Sequence, residues 1–340
     1  MITLRHSIAA LTLIAAGAAS ALGQTAPTVK LIKAIPLAGY TGDFDHFAVD
    51  HDRGRLLLAA EDHATLEVFD LKTLAHLKTI TGFGAPHSIL TRPGVSTVLV
   101  TDSGPEMSAI RNANTLAVEK KVVLTPGADS GMYDQAANVY YVVTGGKDVD
   151  MKTAELDAIN PDTGAKLGSI TFNDNHVEAL DIDPTSNKLY INLTQTNKLA
   201  VVDRKAMKVL AVWPVPEAQQ NAMVAVDPQQ HRLYIVCRAP GKVVVLDADN
   251  GHLIDTQPAP LRADQVQYDE SAHRLYVPGG EGWMGIYDTS NPDHLKLLEK
   301  VTTAPGAKTG ILLPKQHRLF LAASPGDTKA LAKVLVFDVR

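Results

Sequence analysis

Short apolar runs alternate with polar turns along almost the whole chain, and one segment returns at a regular spacing. Each copy has a polar start, an apolar run, a polar turn, a second run that opens with Arg-Leu-Tyr or a close variant, and a valine-rich run that ends in Asp. The turn and the opening of the second run occur at residues 183–190, 227–234, 269–276 and 314–320. One such unit cannot bury its own apolar face, so the pattern predicts an array of stacked repeats.

The apolar runs are predicted to be β-strands. They are rich in Val, Ile, Leu and Tyr, which suit a pleated and half-buried surface, and little of the chain follows helical spacing. Third runs such as 199–203 and 243–247 end in Asp, which can bond the local backbone and begin a turn. The repeat length of about 40–47 residues is that of a four-stranded propeller blade. The predicted units are 41–82, 83–127, 128–174, 175–218, 219–263, 264–306 and 307–340.

The last unit ends after its third strand, and the start of the chain offers the missing fourth one. Residues 30–37 are predicted to pair with residues 334–338, because an open array would leave an unpaired sheet edge at each end. Pro36 is acceptable on an outermost strand, where one amide position faces solvent. We therefore predict an all-β fold over residues 24–340, a seven-bladed β-propeller of four-stranded antiparallel blades closed by the N-terminal strand.

Three stretches of the repeat resemble a known family. Residues 201–210, Val-Val-Asp-Arg-Lys-Ala-Met-Lys-Val-Leu, resemble the third strand, turn and return strand of the YVTN-type β-propeller repeat. Residues 188–192 and 232–236 are similar to its namesake strand. The resemblance covers nearly all of the mature chain and points to YncE-like or surface-layer-type propellers. It implies the fold and leaves the function open, because this scaffold hosts DNA binders, surface-layer components, lactonases, lyases and dehydrogenases.

The first 23 residues are predicted to be a cleavable export signal. Arg5 provides a basic start, residues 8–19 form an apolar run, and small residues at 19–23 offer a cleavage site. The apolar run is too short to span a membrane stably, and no later run is long enough. We expect a periplasmic or secreted protein without a membrane span.

The charge balance makes nucleic acid an unexpected partner, and the cysteine content excludes an intrachain disulfide. Without the leader the chain has 31 basic and 37 acidic residues, a net charge of −6 with His neutral. This balance argues against nucleic acid, which needs clustered Lys and Arg. Cys237 is the sole cysteine, so no intrachain disulfide can form, and its apolar strand predicts a small buried hydrophobe. We expect a monomer that is stabilised by its core.

Propeller topology predicts where ligand-binding groups should lie. The starts of the first strands and the loops after the second strands share one face and surround the mouth of the central channel, a concave place where ligands bind. The candidate ligand-binding residues there are Asp43, Asn221, Arg238, Asp264, Gln265, Trp283 and Lys308. The candidate metal ligands are His46, His87, His176 and Glu178, with Asp45 and Asp129 as candidate catalytic bases. His231, His273 and His317 precede the Arg-Leu-aromatic motif, and are predicted to be structural residues of turns on the opposite face.

Three functional hypotheses follow from this ring of polar residues. We favour a noncatalytic propeller that binds a small polar ligand or a protein partner at the channel mouth. The first alternative is a lactonase-like hydrolase or lyase, because imidazole with carboxylate suits Zn²⁺, Mn²⁺ or Fe²⁺ and such a metal activates water or polarises a carbonyl. The second alternative is a surface-layer or scaffold component whose polar channel end bonds only loop amides and water.

Overall fold

The structure confirms the seven-bladed propeller. It is a computed structural model that describes residues 29–326 and 330–339; the predicted export signal, residues 1–23, lies outside them. The described residues form seven four-stranded antiparallel sheets arranged in a ring. Two short 3-10 helices, Lys147–Val149 and Pro314–Gln316, lie in connections between strands. No helix of the described part is long and apolar enough to cross a membrane.

The strands follow one another blade by blade after β1 (Val29–Leu37). Blade 1 contains β2 (Phe47–Asp50), β3 (Arg55–Ala60), β4 (Thr65–Asp70) and β5 (His76–Ile80). Blade 2 contains β6 (Pro86–Leu90), β7 (Thr97–Asp102), β8 (Ala109–Asn112) and β9 (Val118–Lys121). Blade 3 contains β10 (Gly131–Asp134), β11 (Val139–Gly145), β12 (Ala154–Ile159) and β13 (Lys166–Phe172). Blade 4 contains β14 (Val177–Ile182), β15 (Lys188–Leu193), β16 (Lys198–Asp203) and β17 (Lys208–Pro214).

The remaining three blades complete the ring. Blade 5 contains β18 (Gln219–Asp227), β19 (Arg232–Ala239), β20 (Gly241–Asp247) and β21 (Leu253–Pro258). Blade 6 contains β22 (Gln267–Asp269), β23 (Arg274–Gly279), β24 (Trp283–Asp288) and β25 (Lys296–Thr302). Blade 7 contains β26 (Ala307–Leu313), β27 (Arg318–Ala323) and β28 (Ala332–Val339), with β1 as its fourth strand.

The predicted closure by the N-terminal strand is confirmed. Strand β1 pairs antiparallel with β28, with Ile35 opposite Val334 and Leu37 opposite Ala332. The pairing shifts by one residue between Leu31 and Lys33, which is a β-bulge. β1 is the outermost strand of its sheet, the same position that the fourth strand has in the other six blades. The start of the described chain is thereby hydrogen-bonded to its end.

Apolar side chains pack between neighbouring blades, and this packing explains the sequence pattern of the strands. The cluster between blades 7 and 1, for example, contains Phe47, Leu58, Phe320 and Val334. Second strands such as β3 are buried along their whole length, which is why they read as continuous apolar runs. Outermost strands such as β17 alternate between half-buried and exposed residues. Cys237 is buried as predicted, and burial raises the pKa of its thiol to about 12.

The Arg-Leu-Tyr motif joins blades 4 and 5 to the blades that follow them. The hydroxyl of Tyr190 donates to the carbonyl oxygen of Ala248 in blade 5 at 2.9 Å, and Lys188 Nζ donates to the same oxygen at 3.0 Å. In blade 5, Arg232 Nε donates to the carbonyl oxygen of Pro292 in blade 6 at 2.7 Å. In these two blades the basic and tyrosine positions of the repeat hold neighbouring blades together at the face opposite the channel mouth.

The three turn histidines have a conformational role. His231, His273 and His317 have φ values of 55°, 49° and 51°, and the same turn position has Gly54 at 59° and Asn138 at 52°. This left-handed region is rare for most side chains, but Gly, Asn and His adopt it more readily than others. The turns lie between first and second strands, as the repeat predicts.

Candidate functional site

A cavity of about 420 Å³ lies at the mouth of the central channel and is lined from all seven blades. Its side chains come from two kinds of segment, the residues at or just before the first strands and the loops after the second strands. Carboxylates and imidazoles are concentrated in blades 1 to 3, whose lining residues are Asp43, Asp45, His46, Glu61, His87, Asp129, Ser130 and Asp148. Blades 4 to 7 contribute Glu178, Met223, Arg238, Arg262, Asp264 and Lys308.

Asp45 lies between two imidazoles. His87 Nδ1 is 2.6 Å from Asp45 Oδ2, a hydrogen bond, and 3.4 Å from Asp129 Oδ1. On the other side, His46 Nδ1 is 2.7 Å from Asp45 Oδ1. That second contact lacks the angles of a hydrogen bond, so His46 Nδ1 is buried without a hydrogen-bond partner among the described residues. Of the two imidazoles beside Asp45, only His87 is therefore hydrogen-bonded to this carboxylate.

Neighbouring charges decide the protonation of this cluster, because burial opposes every charged form. Burial alone would raise the pKa of Asp45, but the two imidazoles outweigh it and hold that pKa well below its usual range. Burial likewise disfavours the two imidazolium ions, yet Asp129 and Asp45 raise the pKa of His87 to about 10, and Asp45 raises that of His46 to about 9. Burial, with the neighbouring carboxylates, raises the pKa of Asp129 to about 6 and that of Glu61 to about 7.

The other side of the cavity contains a continuous chain of ion pairs. Arg238 Nη1 lies 2.8 Å from Glu178 Oε1, and its Nη2 contacts Asp264 Oδ1. Lys308 Nζ lies 3.0 Å from both Asp264 Oδ2 and Asp43 Oδ2. Burial opposes both positive charges, but these carboxylates raise the pKa of Arg238 and of Lys308 above their usual values. Both cations are therefore neutralised and held in place within the protein.

Arg262 is the cation at the rim that remains available. It lies in the loop before β22, is exposed, lines the cavity, and forms no ion pair with any residue in the described ranges. Sequence reasoning did not select it. The sequence signal for Arg262 is its position two residues before Asp264, in the segment that leads into the first strand of a predicted blade. In a ring of seven, its blade 6 lies across from blades 2 and 3, which hold His87 and Asp129.

The structure separates the four predicted metal ligands. His46 and His87 both contact Asp45, as described above. His176 Nε2 lies 2.7 Å from Glu178 Oε1, and Glu178 is also bonded to Arg238. Glu178 lines the mouth cavity, whereas His176 does not. His87, His176 and Glu178 also line a smaller cavity of about 140 Å³, but among the described residues no three of the four predicted ligands have donor atoms within 4.8 Å of one another.

Three predicted ligand-binding residues lie away from the mouth cavity. Asn221 is fully buried, and its Nδ2 donates to Asn192 Oδ1 at 2.7 Å and to the carbonyl oxygen of Lys198 at 2.8 Å, so it stabilises the joint between blades 4 and 5. Gln265 lines a second cavity of about 430 Å³ deeper in the channel. Trp283 is the first residue of β24 and lies opposite Thr302 of the outermost strand, with Lys300 Nζ 4.7 Å from its ring centre.

The structure also brings together a group that the sequence distributed over three blades. Asp45, His87 and Asp129 place one donor atom each within 4.8 Å of one another. The sequence predicts Asp45 and Asp129 as catalytic bases and His87 as a metal ligand. Their side chains meet because each stands where the chain enters, or has just entered, the first strand of its blade.

Comparisons with known proteins support the fold and nothing finer. No family model matches the chain, and no curated protein matches it. Among solved structures, it is similar to hydrazine synthase of Kuenenia stuttgartiensis, with 14% sequence identity and a TM-score of 0.71, over 84% of this chain and 95% of that one. At this identity the similarity shows a shared propeller fold. It does not test the resemblance to the YVTN-type repeat.

Proposed function

We propose that the channel mouth binds a small dipolar ligand, with its positive or donor end toward blades 1 to 3 and its negative end toward Arg262. The observation that carries this proposal is that the partly exposed carboxylates of Glu61 and Asp129 share one cavity with the guanidinium of Arg262, which forms no ion pair among the described residues. The cavity's volume of about 420 Å³ is within the range of small-molecule sites, roughly 300–1,000 Å³.

Accessible groups on both sides support binding. Glu61 and Asp129 have side chains that are 32% and 38% exposed, and Arg262 is exposed across the cavity. The ion pairs of Arg238 and Lys308 keep the intervening wall rigid, which reduces the conformational entropy that binding would otherwise cost. A ligand with both charges satisfies both sides at once, whereas a simple cation or anion satisfies one.

The proposal is tested by ligand-induced thermal shift followed by calorimetric titration. The panel contains free amino acids and betaines as dipolar compounds, and simple amines, carboxylates and sugars as comparisons. Dipolar members should raise the melting temperature, because ligands that bind only the folded state stabilise it by mass action. Arg262→Ala should weaken their binding by about tenfold, since a hydrogen bond to a charged group contributes roughly 1.5–3 kcal/mol and this one is exposed.

Arg274→Ala is the matched control. It removes the same charge from the same blade, but its side chain lies at the turn on the opposite face, where it contacts Asp288. Binding by Arg274→Ala should equal that of the unmodified protein. Equal weakening in both variants, or no dipolar compound that shifts the melting temperature, would refute the proposal.

We further propose that the protein is exported to the periplasm or secreted, and that it belongs with the YVTN-type propellers. The basic start, apolar run and small residues of positions 1–23 support export, and the repeat at 188–192 and 232–236 supports the family. Expression in a Gram-negative host with N-terminal sequencing of the periplasmic fraction tests export. A mature start near residue 24 is expected, and a full-length chain confined to the cytoplasm would contradict it.

A further inference from the structure

We propose that Asp45, His87 and Asp129 bind a divalent transition-metal ion at the acidic side of the mouth cavity. This inference deepens the proposed function, because it uses the same cavity and gives the acidic side a resident charge. With the metal bound, Glu61 and Asp148 remain on the acidic side for the donor end of a ligand, whose negative end still faces Arg262.

The arrangement around His87 Nδ1 is the first reason. Two carboxylate oxygens face this one nitrogen, Asp45 Oδ2 at 2.6 Å and Asp129 Oδ1 at 3.4 Å. A ring nitrogen carries at most one proton, so it can donate a good hydrogen bond to one carboxylate only. Apart from Ser130 Oγ at 3.5 Å, Asp129 has no other hydrogen-bond donor to its side chain within the described ranges. A cation among the three donor atoms satisfies both carboxylates and the nitrogen together.

The backbone holds both aspartates in place. The amide of Asp45 donates to Ala59 at 3.0 Å, and its carbonyl oxygen accepts from Thr309 Oγ1 at 2.7 Å. The amide of Asp129 donates to Val143 at 2.9 Å, and its carbonyl oxygen accepts from Thr101 Oγ1 at 3.0 Å. Residues whose backbone amide and carbonyl groups are both hydrogen-bonded lose little conformational freedom when they bind a metal, which favours a preformed site.

The surroundings of the three donors match a metal site with an open position. The other ring nitrogen of His87, Nε2, faces the carboxylate of Glu61 at 3.9 Å, and metal-bound histidines commonly direct their second nitrogen at a carboxylate. The three donors line the mouth cavity, so further coordination positions face the channel rather than protein. Three protein ligands with an open position are typical of catalytic sites, whereas structural zinc sites have four.

The donor set also selects the class of metal. One imidazole with two carboxylates suits Mn²⁺, Fe²⁺, Co²⁺ or Zn²⁺. Ca²⁺ and Mg²⁺ prefer oxygen ligands only. Binding of a transition metal here is the precondition for the lactonase-like chemistry considered from the sequence.

Metal titration of tag-free, chelator-treated protein tests the inference. Calorimetry with Zn²⁺ and Mn²⁺, and the visible absorption of Co²⁺, should each show one equivalent bound, and Ca²⁺ should bind at least tenfold more weakly. His87→Gln and Asp129→Asn should each lower the affinity by more than the roughly 10–100-fold that loss of an outer-shell partner causes. His176→Gln is the matched control, because it removes an imidazole near the same mouth that is already bonded to Glu178; its affinity should stay within twofold.

Two results would overturn the inference: no stoichiometric binding by the unmodified protein, or equal losses in Asp129→Asn and His176→Gln. Circular dichroism checks that each variant is folded, and if His87→Gln is not, the isosteric Asp129→Asn decides alone. Repeating the dipolar-ligand titrations in chelator separates the two proposals. Ligand binding without any metal binding would overturn this inference alone, and metal binding without any dipolar ligand would overturn only the proposed function.

Discussion

Arg204 and Asp134 form a buried ion pair that joins blade 4 to blade 3. Arg204 Nε lies 2.7 Å from Asp134 Oδ2, and the two side chains are 9% and 5% exposed. The guanidinium also donates to the carbonyl oxygens of Asp183 at 2.7 Å and Lys188 at 3.2 Å. Blade 3 has Val139 where most second strands begin with Arg or Lys, so here the cation is provided by the neighbouring blade.

Arg204→Met keeps most of the aliphatic stem and leaves the carboxylate of Asp134 buried without its counter-charge. Removing one partner of a buried ion pair costs about 3–5 kcal/mol. Asp134 retains two amide donors on its other oxygen, from Ala136 at 3.0 Å and Ala137 at 3.2 Å, so we expect the lower end, about 3 kcal/mol. Asp134→Asn in the Arg204→Met background should cost less than it does alone, with a coupling energy of about 2 kcal/mol.

Urea unfolding of the protein, the two single variants and the double variant measures this cycle. Circular dichroism and intrinsic fluorescence should give coincident transitions, which is the condition for comparing unfolding free energies in a chain of this length. A loss below about 1 kcal/mol in Arg204→Met would show that the pair does not stabilise the joint. Additive effects of the two substitutions would show that the side chains act independently.

Two further predictions concern the closing strand and the channel. Leu37→Ala should lower the unfolding free energy by about 2–4 kcal/mol because its side chain is 2% exposed, whereas Leu31→Ala, 48% exposed on the same strand, should cost less than about 0.5 kcal/mol; equal losses in urea titration would contradict closure by burial. Burial raises the pKa of Asp181 to about 6, although hydrogen bonds from the backbone amides of Val226 and Ile182 oppose this rise. Ionising Asp181 therefore costs stability as the pH rises from about 4 through 6. Asn accepts through one oxygen only, so Asp181→Asn loses one of these two hydrogen bonds at every pH, but its stability relative to the unmodified protein should rise by about 1–2 kcal/mol between pH 3 and pH 8, allowing for channel water; a difference between the two proteins that does not change with pH would rule out this cause.

The sequence by itself determined the fold of this protein. The repeat sets the strands, their order and the number of blades, because apolar runs, turn residues and their spacing are properties of neighbouring residues. The missing fourth strand of the last unit predicted the pairing of residues 30–37 with 334–338, which the structure has as β1 and β28. The bulge between Leu31 and Lys33 was not predictable, since it depends on how the two ends of the chain meet.

The tertiary structure decided which polar side chains act together. Strand periodicity placed Asp45, His87 and Asp129 near the mouth, but their approach to within 4.8 Å depends on the angle between three blades. The same periodicity placed Asn221 at the mouth, yet its amide donates to the carbonyl oxygen of Lys198 and lies in the joint between blades. Side-chain direction depends on partners that are 20 or more residues away in the chain, and a local pattern contains no record of them.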